Sequence, residues 1–478
     1  MTLIKDSIDL YIVSVRFFIG WLTFVFFIFL LLRSVKDMEM EAADLVSERW
    51  NELPEDLQMK ILSWLPVELL YRYRIVSKEW KDWLSSNDFL TRWCEAPINS
   101  KQPRLALCDR NPKMPCMSFC FHTRTWIKSC FTLSFLHDWI PQTCRIDLGI
   151  YCSRSEGGLC LVYPIIGRPL RVCNPYTQTF VEIPESSIDL FGECIVVDEN
   201  NNWRSETAYK VVAVGYSPPD ANGLERPAVD IYDPSQKQWN IAGYLPDDVT
   251  LATSNELLFC NGSFYCYWEM PGHDLPTGIV GFTVPTNGSA VGPIPIPVIL
   301  VPFPEIVQNV DGDNDILFHP WMVTCGSRLL LITGKRMPVH VGQIDGEGEG
   351  EGEGEKEVMI ILWELRNGED RSVSLENSES WKWVEIARMP PLVCKEWMNK
   401  DPLDASCNAI GVGDHVCFIS TPNNFEQPIE VLDYNLISNT WIWLPSCPRN
   451  HHCVGEEGCS WGAYDGMAFQ PRPYMKVE

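Results

Sequence analysis

The chain has 478 residues, of which 46% are hydrophobic and 21% are charged. This length allows about two to four domains, and the composition excludes disorder as the main state of the chain. Lys and Arg number 38 against 63 Asp and Glu, so the formal net charge is −25. Such a surface repels a phosphate backbone, which excludes nucleic acid as a partner. The 19 cysteines are odd in number and scattered, which favours reduced thiols in a cytosolic protein.

The first segment, residues 1–37, contains the longest apolar run of the chain. Residues 11–32 carry a single charge, Arg16, and are long enough to cross a bilayer as a transmembrane helix. No small-residue cleavage site follows the run, so an uncleaved membrane anchor fits better than a signal peptide. An ordinary soluble N-terminus that begins at Met38 or Met40 fits equally well, and the sequence leaves these two interpretations open.

A short helical module follows between Trp50 and Trp93. Its first helix is indicated by apolar residues at every fourth position, with Pro54 near the start and Pro66 after the end. These apolar positions are Leu53, Leu57, Ile61 and Leu65. A second amphipathic helix is indicated by spacings of four and three. Its apolar positions are Leu69, Tyr73, Val76, Trp80 and Trp83. So small a module cannot bury all these side chains internally, and one apolar face is therefore left for a partner.

The segment WNELPEDLQMKILSWLPVELLYRYRIVSKEWKDWL resembles the F-box, because an LP pair, an acidic residue with Leu, a second LP pair and a later V-S-K-x-W follow in that order. We assign the F-box to residues 46–93. The resemblance implies docking on a small adaptor of the Skp family, and through it on a cullin. It places Val76 and Trp80 in the packing of the module. The adaptor-binding residues that it implies are Leu53, Pro54, Leu57, Ile61, Leu62, Leu65 and Pro66.

The long remainder of the chain repeats two kinds of element. Strand–glycine turn–strand segments predict β-hairpins at 155–163, 257–268, 322–333 and 409–420. A second pattern recurs at 172–184, 231–246, 381–390 and 432–445. In it, a strand is followed by an Asp or Asn in most copies, then by an aromatic residue and Pro. The aromatic residues Phe180 and Trp239, like Trp381 and Trp441, lie about 60 residues apart, and a repeat of this length with four short strands is typical of propeller blades. The interval between Trp239 and Trp381 leaves room for about two or three more units.

The combination resembles the plant F-box proteins that carry kelch-type repeats. This resemblance implies an α+β multidomain chain, in which a small helical F-box precedes an all-β propeller of about six blades that holds the target protein. We assign the linker to residues 94–115 and the propeller to 116–478. The sequence departs from regular kelch repeats because only Gly157 and Gly158 form a Gly-Gly pair in these hairpins. Trp239, Trp381 and Trp441 are expected to pack between neighbouring sheets.

A Gly-Glu tract at 346–357 has no apolar residue to anchor it and predicts a solvated insertion between strands. The chain contains a G-x-S-x-G sequence around Ser460, but no His follows it, so a hydrolase site is not expected. We predict no catalytic residue, no metal site and no cofactor. Asn261 and Asn287 satisfy the glycosylation sequon, and as Asn-Gly pairs they are better explained as hairpin turns.

Two classes of function remain open at this point. The first is a non-catalytic substrate receptor of a cullin-type ubiquitin ligase, in the ubiquitin conjugation pathway, whose F-box binds the adaptor and whose propeller binds the target. The alternative is a propeller enzyme or a membrane-anchored binding protein. The receptor would be cytoplasmic or nuclear if soluble. If residues 11–32 form an anchor, the remainder of the chain faces the cytosol, where the adaptor and cullin are found.

Overall fold

The computed structural model describes most of the chain from Trp50 to Phe469. The described residues are 50, 52–65, 70, 73–74, 77–86, 88–89, 92–93, 103–109, 116–128, 136, 150–156, 158–164, 170–197, 209–252, 256–270, 276–284, 294–304, 316–337, 357–367, 380–400, 408–420, 428–448 and 464–469. They divide into two compact units, one with the described residues of 1–65 and 85–96, the other with those of 66–84 and 97–478.

Helix α1 (Glu55–Ser63) begins directly after Pro54, as the sequence predicts. The carbonyl oxygen of Pro54 accepts the N–H groups of Leu57 at 2.8 Å and Gln58 at 3.1 Å, which sets the first turn. Acidic residues in this turn and a lysine in the last turn complement the helix dipole. The helix ends at Trp64, before Pro66.

Helix α2 (Lys78–Leu84) is shorter than the second amphipathic helix that the spacing predicts. Its start is fixed by Ser77, whose side-chain Oγ accepts the N–H of Trp80 at 3.0 Å. A serine in this position satisfies a backbone donor at the start of a helix and marks its N-terminus. Tyr73 precedes this cap, so the regular spacing from Tyr73 to Trp80 does not belong to one continuous helix.

Six β-sheets form the propeller, and each is one blade. Blade 1 contains β1 (Arg104–Asp109), β2 (Met117–Cys120), β3 (Thr125–Lys128) and β26 (Tyr464–Phe469). Blade 2 contains β4 (Ile150–Glu156), β5 (Leu159–Pro164), β6 (Arg171–Asn174) and β7 (Thr179–Glu182). Blade 3 contains β8 (Asp189–Val197), β9 (Tyr209–Tyr216), β10 (Pro227–Asp233), β11 (Gln238–Tyr244) and β16 (Ile294–Pro295).

The last three blades are also built from four or five strands each. Blade 4 contains β12 (Thr250–Leu251), β13 (Leu258–Cys260), β14 (Ser263–Glu269), β15 (Gly278–Phe282) and β17 (Val298–Pro302). Blade 5 contains β18 (Ile316–Cys325), β19 (Arg328–Met337), β20 (Glu357–Asn367) and β21 (Trp381–Arg388). Blade 6 contains β22 (Asn408–Val412), β23 (His415–Ile419), β24 (Val431–Asn435) and β25 (Thr440–Trp443). The prediction of an F-box followed by a propeller of about six blades is confirmed.

The blades close into a ring through their innermost strands. Each of β4, β8, β13, β18, β22 and β26 contacts the next one, and β26 contacts β4. Strand β26 pairs antiparallel with β1 over the whole length of both, from Arg104 opposite Phe469 to Asp109 opposite Tyr464. Blade 1 is therefore built from both ends of the propeller sequence. Because β1 lies inside residues 94–115, the segment assigned to a linker already contains the first propeller strand.

All four predicted glycine hairpins are confirmed, as β4–β5, β13–β14, β18–β19 and β22–β23. In the β13–β14 turn, Asn261 has φ 50° and Gly262 has φ 79°, the left-handed values that two-residue hairpin turns require. Asn261 also donates its side-chain amide to the carbonyl oxygen of Ser327 at 2.5 Å, which links blades 4 and 5. Asn287 lies outside the described residues.

The interval between Trp239 and Trp381 holds fewer units than its length suggests. It contains the whole of blade 4 and the first three strands of blade 5, rather than two or three further units. Long connections fill the rest of the interval, among them the one between β19 and β20. Most of the Gly-Glu tract, residues 346–356, belongs to that connection and lies outside the described residues. Glu357 already starts β20.

Helix α3 (Pro391–Lys400) connects blade 5 to blade 6, and sequence analysis did not predict it. Its Cys394 and Trp397 are buried in the core between these two blades. Residues 11–32 lie outside the described part of the chain. Within that part, no helix combines the length and the hydropathy that a membrane span requires.

Candidate adaptor-binding helix and propeller faces

Helix α1 presents an apolar stripe to solvent. Leu57 is 46% exposed and Trp64 is 41% exposed, while Ile61 between them is half-buried. Positions i, i+4 and i+7 of a helix lie on one face, so these three side chains form a continuous row. Pro54 is exposed at the start of the same helix. We call Pro54, Leu57, Ile61 and Trp64 the α1 stripe.

The predicted adaptor-binding residues divide into two groups. Pro54, Leu57 and Ile61 lie on the α1 stripe, and Leu53 is half-buried beside it in sequence. Leu62 and Leu65 are only 2% and 7% exposed, so they belong to the core of the unit. Pro66 lies outside the described residues. Trp64 is not among the predicted residues, although its spacing from Leu57 and Ile61 places it on the same helix face.

The buried side of α1 is held by specific contacts within its unit. Gln58 donates its side-chain amide to the carbonyl oxygens of Trp50 at 2.7 Å and Leu53 at 3.1 Å. The indole Nε1 of Trp93 donates to the carbonyl oxygen of Leu65 at 3.3 Å. Phe89 is buried to the same degree as Trp93. These contacts orient the helix without using the α1 stripe.

An exposed ion pair joins α1 to the same downstream segment. Arg92 Nη2 lies 2.8 Å from Asp56 Oδ1, and Arg92 Nε lies 3.3 Å from Asp88 Oδ2. The hydrogen bond to Asp56 raises the pKa of the Arg92 guanidinium, which stays protonated at any physiological pH. Because water screens this pair, it orients the helix more than it stabilises the fold.

Trp80, which the F-box resemblance places in the packing of the module, makes an edge-to-face contact with Tyr73. Their ring centroids lie 5.5 Å apart with an interplanar angle of 77°, a geometry that aromatic pairs favour. Val76, the other residue given this role, lies outside the described residues.

The propeller has two faces, which its antiparallel strand order defines. On the hairpin face, the first strand of a blade turns into the second and the third turns into the fourth. On the crossover face, the second strand connects to the third and one blade connects to the next. Exposed large apolar side chains occur on the crossover face at Leu224, Met270 and Leu392, and on the hairpin face at Ile437.

The hairpin face carries a polar cluster between blades 5, 6 and 1. His415 Nδ1 lies 2.9 Å from Asp433 Oδ1, and the His415 ring stacks on Phe121 of blade 1 with centroids 4.0 Å apart. The Asn435 amide nitrogen lies 3.3 Å from His415 Nε2. The Sγ of Cys325 in blade 5 donates to the His415 carbonyl oxygen at 3.5 Å. Every member of the cluster has a protein partner, so it joins blades.

Most of the described thiols of the propeller are buried. Burial raises the pKa of the Cys260 thiol to about 12 and that of the Tyr265 hydroxyl to about 12. A thiol with a raised pKa is a poor nucleophile. The twelve cysteines whose side chains are described form no disulfide. Among the described residues, no group of three His, Cys, Asp or Glu side chains is placed to hold a metal ion.

Comparison with known proteins adds to this geometry. The F-box domain model matches residues 50–92. The chain is 21% identical to "F-box only protein 6" of Arabidopsis thaliana over 455 residues, covering 93% of this chain and 79% of the relative. It is 22% identical to an F-box/kelch-repeat protein of the same plant, covering 88% and 89% of the two chains. By these matches the chain is similar to the plant F-box/kelch-repeat proteins. An F-box followed by a propeller fits the general role of a substrate receptor in an SCF complex.

Solved structures that the chain matches include the GH93 α-L-arabinofuranosidase of Fusarium graminearum with arabinobiose. This likeness covers 63% of this chain and 82% of the glycosidase, with 10% sequence identity and a TM-score of 0.29. At this score the similarity carries no argument about activity.

Proposed function

We propose that this chain is the substrate-receptor subunit of a cullin-type SCF ubiquitin ligase. Its α1 stripe binds a Skp-family adaptor, its propeller binds the target protein, and the ubiquitin chemistry takes place on other subunits. In this proposal the chain itself is not an enzyme. The exposed α1 stripe, within a segment that matches the F-box domain, is the observation that supports it most directly.

The burial of individual residues refines the proposed adaptor contact. We assign it to Pro54, Leu57, Ile61 and Trp64, which reach solvent, with Leu53 at the margin. We assign Leu62 and Leu65 to the core that holds the stripe in place, because a side chain that is almost fully buried cannot also contact a partner. Exposed apolar rows of this kind mark protein-interaction sites, and aromatic residues such as Trp64 are enriched among the residues that dominate binding energy.

The experiment is a pull-down of the full chain with a Skp-family adaptor. Leu57→Asp, Ile61→Asp and Trp64→Asp should each abolish binding, because the new carboxylate would be desolvated in the interface without a partner. Ile437→Asp, which places the same charge at an exposed apolar position of the propeller, should bind like the original chain. If all three α1 variants retain full adaptor binding, the proposal is wrong.

Leu62→Asp provides a separate check on the division between stripe and core. Leu62 is buried, so a charge there should unfold the module as well as abolish adaptor binding. Circular dichroism would distinguish it from Leu57→Asp, which should lose adaptor binding with the helical signal intact.

A further inference from the structure

The loop between β9 and β10, residues 217–226, has a fixed shape on the crossover face. Its base is closed because the Ser217 N–H donates to the Arg226 carbonyl oxygen at 2.9 Å and the Arg226 N–H donates to Ser217 Oγ at 3.2 Å. Within the loop, Asp220 Oδ1 accepts the N–H groups of Asn222 at 2.7 Å and Leu224 at 3.0 Å. Gly223 takes a φ of 78° at the turn. The loop is therefore preorganised.

This loop directs apolar surface toward water. Leu224 is 52% exposed in the second half of the loop, and Pro218 and Pro219 are exposed in its first half. In the neighbouring blade 4, Met270 is 47% exposed directly after the end of β14. Exposed apolar side chains are individually common, but a group of them on fixed loops marks an interaction site.

Direct contacts join the two blades at this place. Arg226 Nε of the blade 3 loop lies 2.9 Å from Asp247 Oδ1, in the connection that leads into blade 4. The Leu251 N–H of blade 4 donates to the Tyr216 hydroxyl of blade 3 at 3.0 Å. We call residues 217–226, 246–250 and 269–270 the blade 3–4 shoulder.

The blade 3–4 shoulder is acidic around its apolar residues. Its carboxylates are Asp220, Glu225, Asp247, Asp248 and Glu269, and Arg226 is its one cation. Asp247 already pairs with that arginine, whereas Glu225 and Asp248 are exposed. A cationic partner would therefore find exposed carboxylates on the same shoulder as Leu224 and Met270.

We propose that the blade 3–4 shoulder binds a basic segment of the target protein. An apolar side chain of this segment packs on Leu224 and Met270, and its Lys or Arg residues face Glu225 and Asp248. A preorganised loop loses little conformational entropy on binding, which favours affinity, and the opposite charges favour specificity and fast association. The net charge of a second copy is also negative, which disfavours it as the partner. The inference rests on the proposed receptor function, since the segment bound here would be part of the protein to be modified.

The test is the selection of short random peptides, displayed as a library, against the full chain bound to its adaptor. We expect the enriched peptides to combine Lys or Arg with Leu or an aromatic residue, and to bind more weakly as salt rises. Leu224→Asp and Asp248→Lys should each weaken these peptides by roughly tenfold or more, as expected for the centre of an interface. Ile437→Asp, on the hairpin face, is the matched control and should change affinity by less than about twofold.

Three results would overturn the inference. These are enrichment of acidic or uncharged peptides, failure to enrich any peptide, and equal losses in Leu224→Asp and Ile437→Asp. The proposed function fails separately, by loss of adaptor binding in the original chain. Leu224→Asp should still bind the adaptor, so the two failures are distinguishable.

Discussion

The indole Nε1 of Trp239 donates a hydrogen bond to the carbonyl oxygen of Pro184, 2.6 Å away. Trp239 lies on β11, the fourth strand of blade 3, and Pro184 follows the last strand of blade 2. An equivalent hydrogen bond joins the indole of Trp383 in blade 5 to the carbonyl oxygen of Pro302 in blade 4, at 3.1 Å. A third joins Trp126 in blade 1 to Pro445 after the last strand of blade 6 at 2.5 Å. Tryptophan thus links every second pair of blades around the ring.

Trp239→Phe should lower the free energy of unfolding by about 1 kcal/mol beyond the loss of contact area, because it removes the hydrogen bond to Pro184 while keeping an aromatic ring. The matched control is Trp441→Phe. Trp441 packs on Tyr434 with centroids 4.6 Å apart, and its indole N–H has no hydrogen-bond partner among the described residues. Chemical denaturation of both variants would measure the difference. Equal losses of stability would show that the bond to Pro184 contributes nothing.

Glu364 should make the propeller less stable in acid. Desolvation acts to raise its pKa, but hydrogen bonds from Arg328 at 2.7 and 3.0 Å and from Arg366 outweigh this effect, and the net pKa lies below its ordinary value of 4.5. The folded state therefore favours the carboxylate. Its contribution is present above the unfolded-state pKa and is lost as the pH falls through the folded-state pKa.

Glu364→Gln should reduce stability at neutral pH by about 1.5–3 kcal/mol, the range for hydrogen bonds to charged groups. The difference in the free energy of unfolding between the variant and the original chain should become smaller as the pH falls below about 4.5. Denaturation curves across this range provide the measurement, and a difference that stays constant would contradict the assignment.

Asp230 should show the opposite pH dependence. It is fully buried in blade 3, and desolvation raises its pKa above the ordinary value of 3.8, although Ser186 Oγ donates to Asp230 Oδ2 at 2.6 Å. The folded state holds the proton to a higher pH than the unfolded state does. Stability therefore falls as the pH rises from the unfolded-state pKa through the folded-state pKa.

Asp230→Asn should remove this fall, because an amide remains neutral at every pH. Relative to the original chain, the variant should gain stability as the pH rises through the same window. Denaturation at a series of pH values would measure this gain, and parallel curves for the two proteins would refute it.

His415 should carry its proton on Nδ1 and leave Nε2 as an acceptor. The Asn435 side-chain oxygen accepts the N–H groups of Ile437 at 3.0 Å and Ser438 at 2.8 Å, so its amide nitrogen must face the imidazole. His415 Nε2 is then an acceptor, and Nδ1–H donates to Asp433. Nuclear magnetic resonance of the labelled imidazole reports the tautomer directly. Exposed His122, in the adjacent turn, serves as the comparison, and a proton on Nε2 of His415 would exclude this arrangement.

The turns and hairpins could be predicted from sequence because their signals are local. Asn261 and Gly262 adopt the conformation that their residue types favour, and Asn435 closes its turn through its own side chain. The F-box helix was equally readable, since Pro54 fixes its start and the apolar spacing fixes its orientation. The α1 stripe was only partly predicted, because sequence spacing does not separate exposed Leu57 from buried Leu62.

What could not be predicted depends on distant parts of the chain. β1 and β26 pair although almost the whole propeller sequence separates them, so neither segment shows locally that it belongs to blade 1. Trp381 packs on the core shared by blades 4 and 5, as predicted. The hydrogen bond to Pro302 of blade 4 comes instead from Trp383, because the register of β21 on β20 decides which indole reaches that carbonyl. Helix α3 is anchored by Cys394 and Trp397 in a core assembled from two blades, and its own spacing gives little indication of it.

The pairing of β26 with β1 also determines when the ring can be completed. Ribosomes add residues from the N-terminus onward, so blades 2 to 6 can form before the six residues of β26 exist. Until then, β1 has an unpaired edge along its whole length, and such an edge is a template for pairing with other chains. A chain terminated early, before Tyr464, would keep that edge permanently. Early termination would therefore yield an aggregation-prone product, even though most of its blades could still form.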